Sequence, residues 1–176
     1  MPTSLRARPH SSEYAPFYHG YISAVPEGDV VDVLRNGGRE LHDAVMAIPE
    51  QRGGFRYAEG KWSIREVIGH LIDAERIFCY RALRIARADA TPLPAFDENE
   101  YVRTAGSDSR TLASLGQEFG AVRDGTVQLF QSLPADAWVR RGIANGKEIS
   151  VRAIAYIAAG HPQHHLRILR ERYLIG

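Results

Sequence analysis

Histidines 70, 161 and 165 are the residues of this chain whose type and spacing point most directly to chemistry. His70 stands in Gly-His-Leu-Ile-Asp-Ala-Glu, and His161 and His165 in Gly-His-Pro-Gln-His-His-Leu-Arg-Ile-Leu. On an α-helix a four-residue step is one turn plus about 40°, so His161 and His165 project from one face. A third imidazole on a facing helix would complete a three-nitrogen site for a divalent ion and leave a coordination position free. Such an open position is the pattern of a catalytic centre, not of a closed structural one. Imidazoles suit zinc, nickel, copper or iron, and zinc or nickel is expected first.

The elements that must carry these residues are helices. Apolar positions recur at helical spacing from about Asp29 to Ile48, through Leu34, Leu41 and Val45, and Pro49 stops the run. A second helix is expected from Ser63, whose Ser63-Ile-Arg-Glu66 reads as a capping box, to about Arg87. A third opens near Ser107 or Ser109 and ends before Pro134, with a long crossover ahead of it that contains Pro92 and Pro94. Asn145-Gly146 between short apolar positions predicts a tight hairpin, and a fourth helix follows Ser150 as far as about Tyr173. The fold class is therefore all-α: a four-helix bundle with a long crossover between helices 2 and 3 and a small hairpin before helix 4.

Within that frame, Ile154, Ala158, His161, His165 and Ile168 fall in one stripe roughly 80° wide, and Val67, His70, Ala74 and Ile77 share an inward face of the second helix. His164 lies about 60° from His161 on the other side and is the poorer candidate. An imidazole buried alone has a desolvation cost, which shared coordination removes for three at once. Core histidines held by hydrogen bonds are the alternative. Pro162 interrupts the second motif: either the helix kinks at Gly160-His161-Pro162, or it breaks and restarts. Asp73 and Glu66 flank His70 and are the acids expected to orient an imidazole or to act as general base. Asp97 and Glu98 of the crossover are further acids. Glu66 is also the partner in the capping box, and Asp73 has Arg76 three residues on.

Composition narrows the classes. With 176 residues the chain fits one domain, expected over residues 15–176 after a flexible tail at 1–14. A net charge of +1, with both signs interspersed, lacks the basic face of a nucleic-acid binder. Arg76, Arg81, Arg84 and Arg87 read as a solvated helix face or as a rim that attracts an anionic substrate or thiol. One cysteine, Cys79, excludes an intramolecular disulfide and Cys-rich zinc motifs, and a buried structural thiol is expected there. The N-terminal residues hold no apolar leader segment, and no stretch is long enough to span a membrane. A cytoplasmic protein acting on a small molecule, without nucleic-acid or membrane partners, is the expectation.

With these residues in place, the sequence resembles the DinB superfamily, the YfiT-like metal-dependent enzymes, from about Tyr21 to Tyr173. The likeness is carried by Tyr21-Ile-Ser-Ala-Val-Pro-Glu-Gly-Asp29, by Ala58 through Arg76 with Trp62, His70 and Asp73, and by Arg81-Ala-Leu-Arg-Ile-Ala-Arg87. Phe96-Asp-Glu-Asn-Glu-Tyr101 and His164-His165-Leu-Arg-Ile-Leu-Arg-Glu-Arg-Tyr173 complete it. The resemblance implies a bundle with His70, His161 and His165 as metal ligands, and Pro162 departs from the family pattern inside the last motif. It also implies a homodimer, for which Ile68, Ile72 and Cys79 offer a second apolar stripe unless they pack within the bundle. The activity implied first is that of a low-molecular-weight-thiol S-transferase, with Tyr57, Trp62, Phe96 and Tyr101 as candidate walls. A metal-dependent hydrolase and a non-catalytic metal-binding stress-response dimer are the alternatives.

Overall fold

The computed structural model describes residues 3–175. Its frame is four long helices: α2 (Val30–Met46), α3 (Ile64–Ala86), α5 (Leu112–Ser132) and α6 (Val151–Arg172). Two short helices, α1 (His19–Ala24) and α4 (Glu98–Thr104), lie outside it. Each long helix packs on two others, in the order α2, α5, α3, α6 around the bundle. Helices consecutive in sequence, α2 and α3 or α5 and α6, thus stand diagonally. Residues 87–111 make the expected crossover, but not as plain loop, because α4 and a 3₁₀ turn at Ser107–Ser109 form within it.

Local chemistry sets the helix ends. Asp29, Ser63, Asp97, Thr111 and Ser150 each accept a hydrogen bond from a backbone N–H of the first turn of their helix. Ser63 and Glu66 close the capping box reciprocally. Strands β1 (Arg141–Ala144) and β2 (Lys147–Ser150) pair antiparallel, and Asn145 and Gly146 between them have φ of 54° and 67°. Two left-handed residues in a two-residue loop match the twist of the strands.

The N-terminal segment departs from the expected loose tail. Residues 1 and 2 lie outside the described residues, but further along the segment is pinned to the bundle by charge. Arg8 donates to the carbonyls of Ile22 and Val25, and Arg6 pairs with Asp29. Glu13 is buried, accepting from Ser150 Oγ at 2.8 Å and from Arg152. These partners are far away in sequence, so local composition does not disclose them. Nor does it disclose α1, whose packing on α6 relies on Gly160: a Cβ there would stand 2.0 Å from the Tyr21 carbonyl oxygen.

The core divides in two. At the hairpin end, Phe130, Trp138, Ile154 and Ile157 cluster with Leu34 and Ala82. At the other end Leu41, Ile68, Leu71, Leu115, Phe119 and Leu169 do so. Between them runs a polar belt made by four buried residues of three helices: His70 and Glu75 from α3, Arg123 from α5, and His161 from α6. Ile68 and Ile72 are in the second core and almost wholly buried, so the stripe considered for a dimer contact serves the bundle interior. Among the described residues, no helix is long and apolar enough to cross a membrane.

Candidate metal centre

Helix α6 runs through Pro162 without a break. Proline cannot donate to the Ala158 carbonyl, and a buried carbonyl without a partner is costly. The structure supplies the donor from α5: Arg123 Nη2 donates to Ala158 O at 2.9 Å. The same guanidinium pairs with Glu75 at 2.8 Å and donates to Leu34 O at 3.1 Å, with both side chains about 2% exposed. Room for it comes from Gly38, where a Cβ would approach Arg123 Cγ to 2.5 Å. Of the two expectations for Pro162, the break with restart is not realised, and the four-residue step between His161 and His165 is kept within one helix.

That step aims both imidazoles at His70. The Nε2 atoms of His70 and His161 are 3.1 Å apart, as are those of His165 and His161, and ligand atoms of all three lie within 4.8 Å of one another. Two nitrogens bound to one zinc ion at about 2.0–2.1 Å stand roughly 2.9–3.4 Å apart for angles between octahedral and tetrahedral. The two 3.1 Å spacings fall in that range. Burial pushes His70 down to about 4 and His165 to about 3. His161 is held well below its usual value by burial, then by its two neighbours in the cluster. All three are therefore neutral near pH 7, the state in which imidazole has a lone pair to give. Donor type, protonation and spacing fit a divalent cation. His164 points elsewhere, its ring against Tyr21 and His165.

The two acids expected beside His70 are engaged elsewhere. Glu66 accepts from the Ser63 backbone at 2.8 Å and pairs with Arg56. Asp73 lies on the side facing Arg76 and Glu118, and burial raises its pKa. Among the described residues neither carboxylate hydrogen-bonds to an imidazole of the cluster. Steps of −4 and +3 from His70 turn both acids to the same side of it, by about 40° and 60° around the axis, where these other partners take them up.

Two clefts of about 250 Å³ each reach the cluster. One is bounded by Tyr18, Tyr21, Phe78, Arg81, Phe96 and Glu98, and touches His70 and His161. The other, lined by Tyr57, Lys61, Trp62, Asn99 and Tyr173, touches His165. The start of α4 separates them, with Glu98 facing one and Asn99 the other. Tyr57, Trp62 and Phe96 are thus cleft walls as expected, while Tyr101, outside both linings, packs on Phe96 with ring centres 5.1 Å apart. Tyr21 and Phe78, which the sequence reading did not single out, meet the His161 ring edge-on at 5.3 and 5.6 Å. Phe78 had a local signal, lying eight residues beyond His70 on the same helix face; Tyr21 had none.

The comparisons with known proteins agree with this geometry. The sequence profile of the DinB superfamily matches residues 34–169. A protein of Oceanobacillus iheyensis, named "Putative metal-dependent hydrolase OB0413", is 27% identical over 129 residues, which are 72% of this chain and 73% of that protein. YfiT from Bacillus subtilis, described as a probable metal-dependent hydrolase with an unusual four-helix bundle topology, superposes with a TM-score of 0.74 at 16% identity. The match covers 97% of this chain and 95% of that one. A mycothiol-dependent maleylpyruvate isomerase superposes with a TM-score of 0.67 at 15% identity, over 82% of this chain and 60% of its own. At such identities these two likenesses speak for the fold alone. On the extent of the profile match, with a three-histidine cluster set in a four-helix bundle, the chain belongs to the DinB superfamily.

Proposed function

We propose that the protein is a metal-dependent enzyme that transfers a low-molecular-weight thiol to an electrophilic small molecule, with His70, His161 and His165 holding the divalent ion. The observation that carries this reading is the meeting of two separate clefts at one imidazole cluster, since group transfer needs places for two reactants. A bound zinc or nickel ion would supply the Lewis acidity that deprotonates a thiol near neutral pH. The chain's own residues do the rest. Lys61, Asn99 and Tyr57 offer a polar cleft to the thiol, and Tyr21, Phe78 and Phe96 an aromatic one to the acceptor. Trp62, with its ring 4.8 Å from that of His70 and tilted by 44°, forms the wall between the polar cleft and the imidazole. The kinship of the fold with a mycothiol-dependent enzyme supports the choice of reaction class.

Hydrolysis is the second reading, favoured by Glu98, a cleft acid placed to take a proton from water, and by the name of the Oceanobacillus relative. One assay separates them. Zinc- or nickel-loaded protein is given 1-chloro-2,4-dinitrobenzene with bacillithiol, mycothiol or glutathione, and separately a 4-nitrophenyl ester without thiol. Conjugation that requires both thiol and metal, and is lost in His161→Ala, supports transfer. Ester cleavage alone supports hydrolysis, and metal binding without either turnover leaves the non-catalytic metal-binding reading.

A further inference from the structure

The four arginines of α3 do not share one environment. Arg76 pairs with Glu118 and Arg84 with Asp89, both at the surface, and Arg87 is exposed. Arg81 is only 5% exposed, yet no carboxylate among the described residues comes within ion-pair distance of it. Its Nη2 donates to the Pro94 carbonyl at 2.7 Å, and its guanidinium lies 5.9 Å from the centre of the Phe96 ring. A guanidinium carries five N–H donors in a planar fork that suits a carboxylate, and a buried cation without an anion is expensive. Arg81 also lines the aromatic cleft, whose other end is closed by His70 and His161.

From this we propose that Arg81 recognises the carboxylate of the acceptor substrate, making the acceptor a small anionic molecule with a flat, apolar body. The inference rests on the reading of the cluster as the reaction centre. His70, Ala74, Phe78 and Arg81 follow one another at steps of four, four and three, so one face of α3 floors the cleft. The Cα atoms of His70 and Arg81 are about 16 Å apart along the axis, and the long arginine side chain tilts back toward the helix N terminus. The molecule must then bridge a span on the order of 10 Å, the size of one ring with a short substituent. Ala74 leaves space for it, while Tyr21, Phe78 and Phe96 face its sides. Glu98, exposed at the same cleft, disfavours a second negative group at the mouth.

The test uses 4-fluorobenzoate and its neutral isostere 4-fluorobenzamide, with binding followed by fluorine NMR on the full chain. Chelator-treated protein is used first, so that a carboxylate cannot choose the metal instead. The benzoate is expected to bind about tenfold or more tightly than the amide, from a charge-assisted pair. Arg81→Met should abolish that preference and leave amide binding unchanged, and Arg81→Lys should keep part of it. Equal binding of the two probes to the metal-free wild type overturns the proposal. So does loss of amide binding in Arg81→Met, which would make Arg81 a strut for Pro94 and the crossover. A preference seen only in zinc-loaded protein places the carboxylate on the ion, which overturns the role of Arg81 while upholding the metal centre. Displacement of bound benzoate by glutathione would assign the recognised carboxylate to the thiol and overturn its assignment to the acceptor.

Discussion

Arg123 on α5 donates to the carbonyl of Ala158 on α6, the acceptor that Pro162 leaves without its helical partner. A buried arginine thereby completes the hydrogen bonding of a helix to which it does not belong, at the turn that bears His161. Replacing it by methionine strands both that carbonyl and the Glu75 carboxylate. A loss of about 3–5 kcal/mol is expected, the range for breaking a buried ion pair from one side. Adding Pro162→Ala restores an N–H for Ala158 and should recover about 1 kcal/mol of it. Urea unfolding of the two single variants and the double gives the coupling directly, and strictly additive effects would refute the link.

The cluster should bind close to one divalent ion per chain. Elemental analysis of purified protein, beside His70→Ala, His161→Ala and His165→Ala, is the check, with metal expected in the wild type and lost from each variant. Metal-loaded protein should also melt higher than chelated protein, by about 2.7 kcal/mol in stability at a hundredfold excess over Kd. Variants that keep their metal would return the histidines to the role of core residues.

Acid should weaken the metal-free protein in two windows. His70 and His165 are lowered from 6.5 to about 4 and 3. Below pH 6.5 the unfolded chain therefore takes up protons that the folded one refuses, and stability falls by about 1.4 kcal/mol per pH unit for each imidazole, down to about pH 4 for His70 and about pH 3 for His165. His165→Asn should flatten this slope in chelated protein. Glu13 behaves as a depressed acid. Burial works against it, but Arg152, the His10 backbone N–H and Ser150 together bring it from 4.5 to about 2. Its contribution is full above pH 4.5 and is lost as pH falls from there toward 2, and Glu13→Gln should remove that second decline. Urea midpoints measured from pH 8 to pH 3 resolve both.

Gly160→Ala should cost about 1–3 kcal/mol, since the added methyl meets the Tyr21 backbone and not a movable side chain. Gly38→Ala, which meets the aliphatic part of Arg123, should disturb α5 instead. Because α1 carries Tyr21 to the ring of His161, the first change is expected to lower metal affinity more than the second, which reaches the cluster only through Arg123. Thermal melting with zinc titration distinguishes the two.

Much of this was legible in the chain because it depends on neighbours in sequence. The capping box at Ser63, the Asn145-Gly146 turn, the Ser150 cap and the one-turn step from His161 to His165 are local patterns with local causes. What escaped depends on partners outside the same helix, from 10 to 139 residues away. Glu13 reads as tail until Arg152 is brought beside it, and Glu66 reads as a base until Arg56 and its own cap claim it. The four arginines of α3 look alike in sequence, and only the crossover, through Pro94 and Phe96, sets Arg81 apart. Short helices such as α1 and α4 take their stability from what they lie on, so periodicity over six or seven residues could not announce them.

The candidate metal ligands are divided between two helices, with His70 and His161 separated by 91 positions. Neither half can grip an ion strongly by itself, since α3 offers one nitrogen and α6 two. On a ribosome, α2, α3 and α5 have all emerged before the site exists, and the nascent chain has no competent cage to load. Capture of an ion by this cluster would consequently be a late event that rewards a correctly closed bundle, and a truncated or misdocked chain would be left without it.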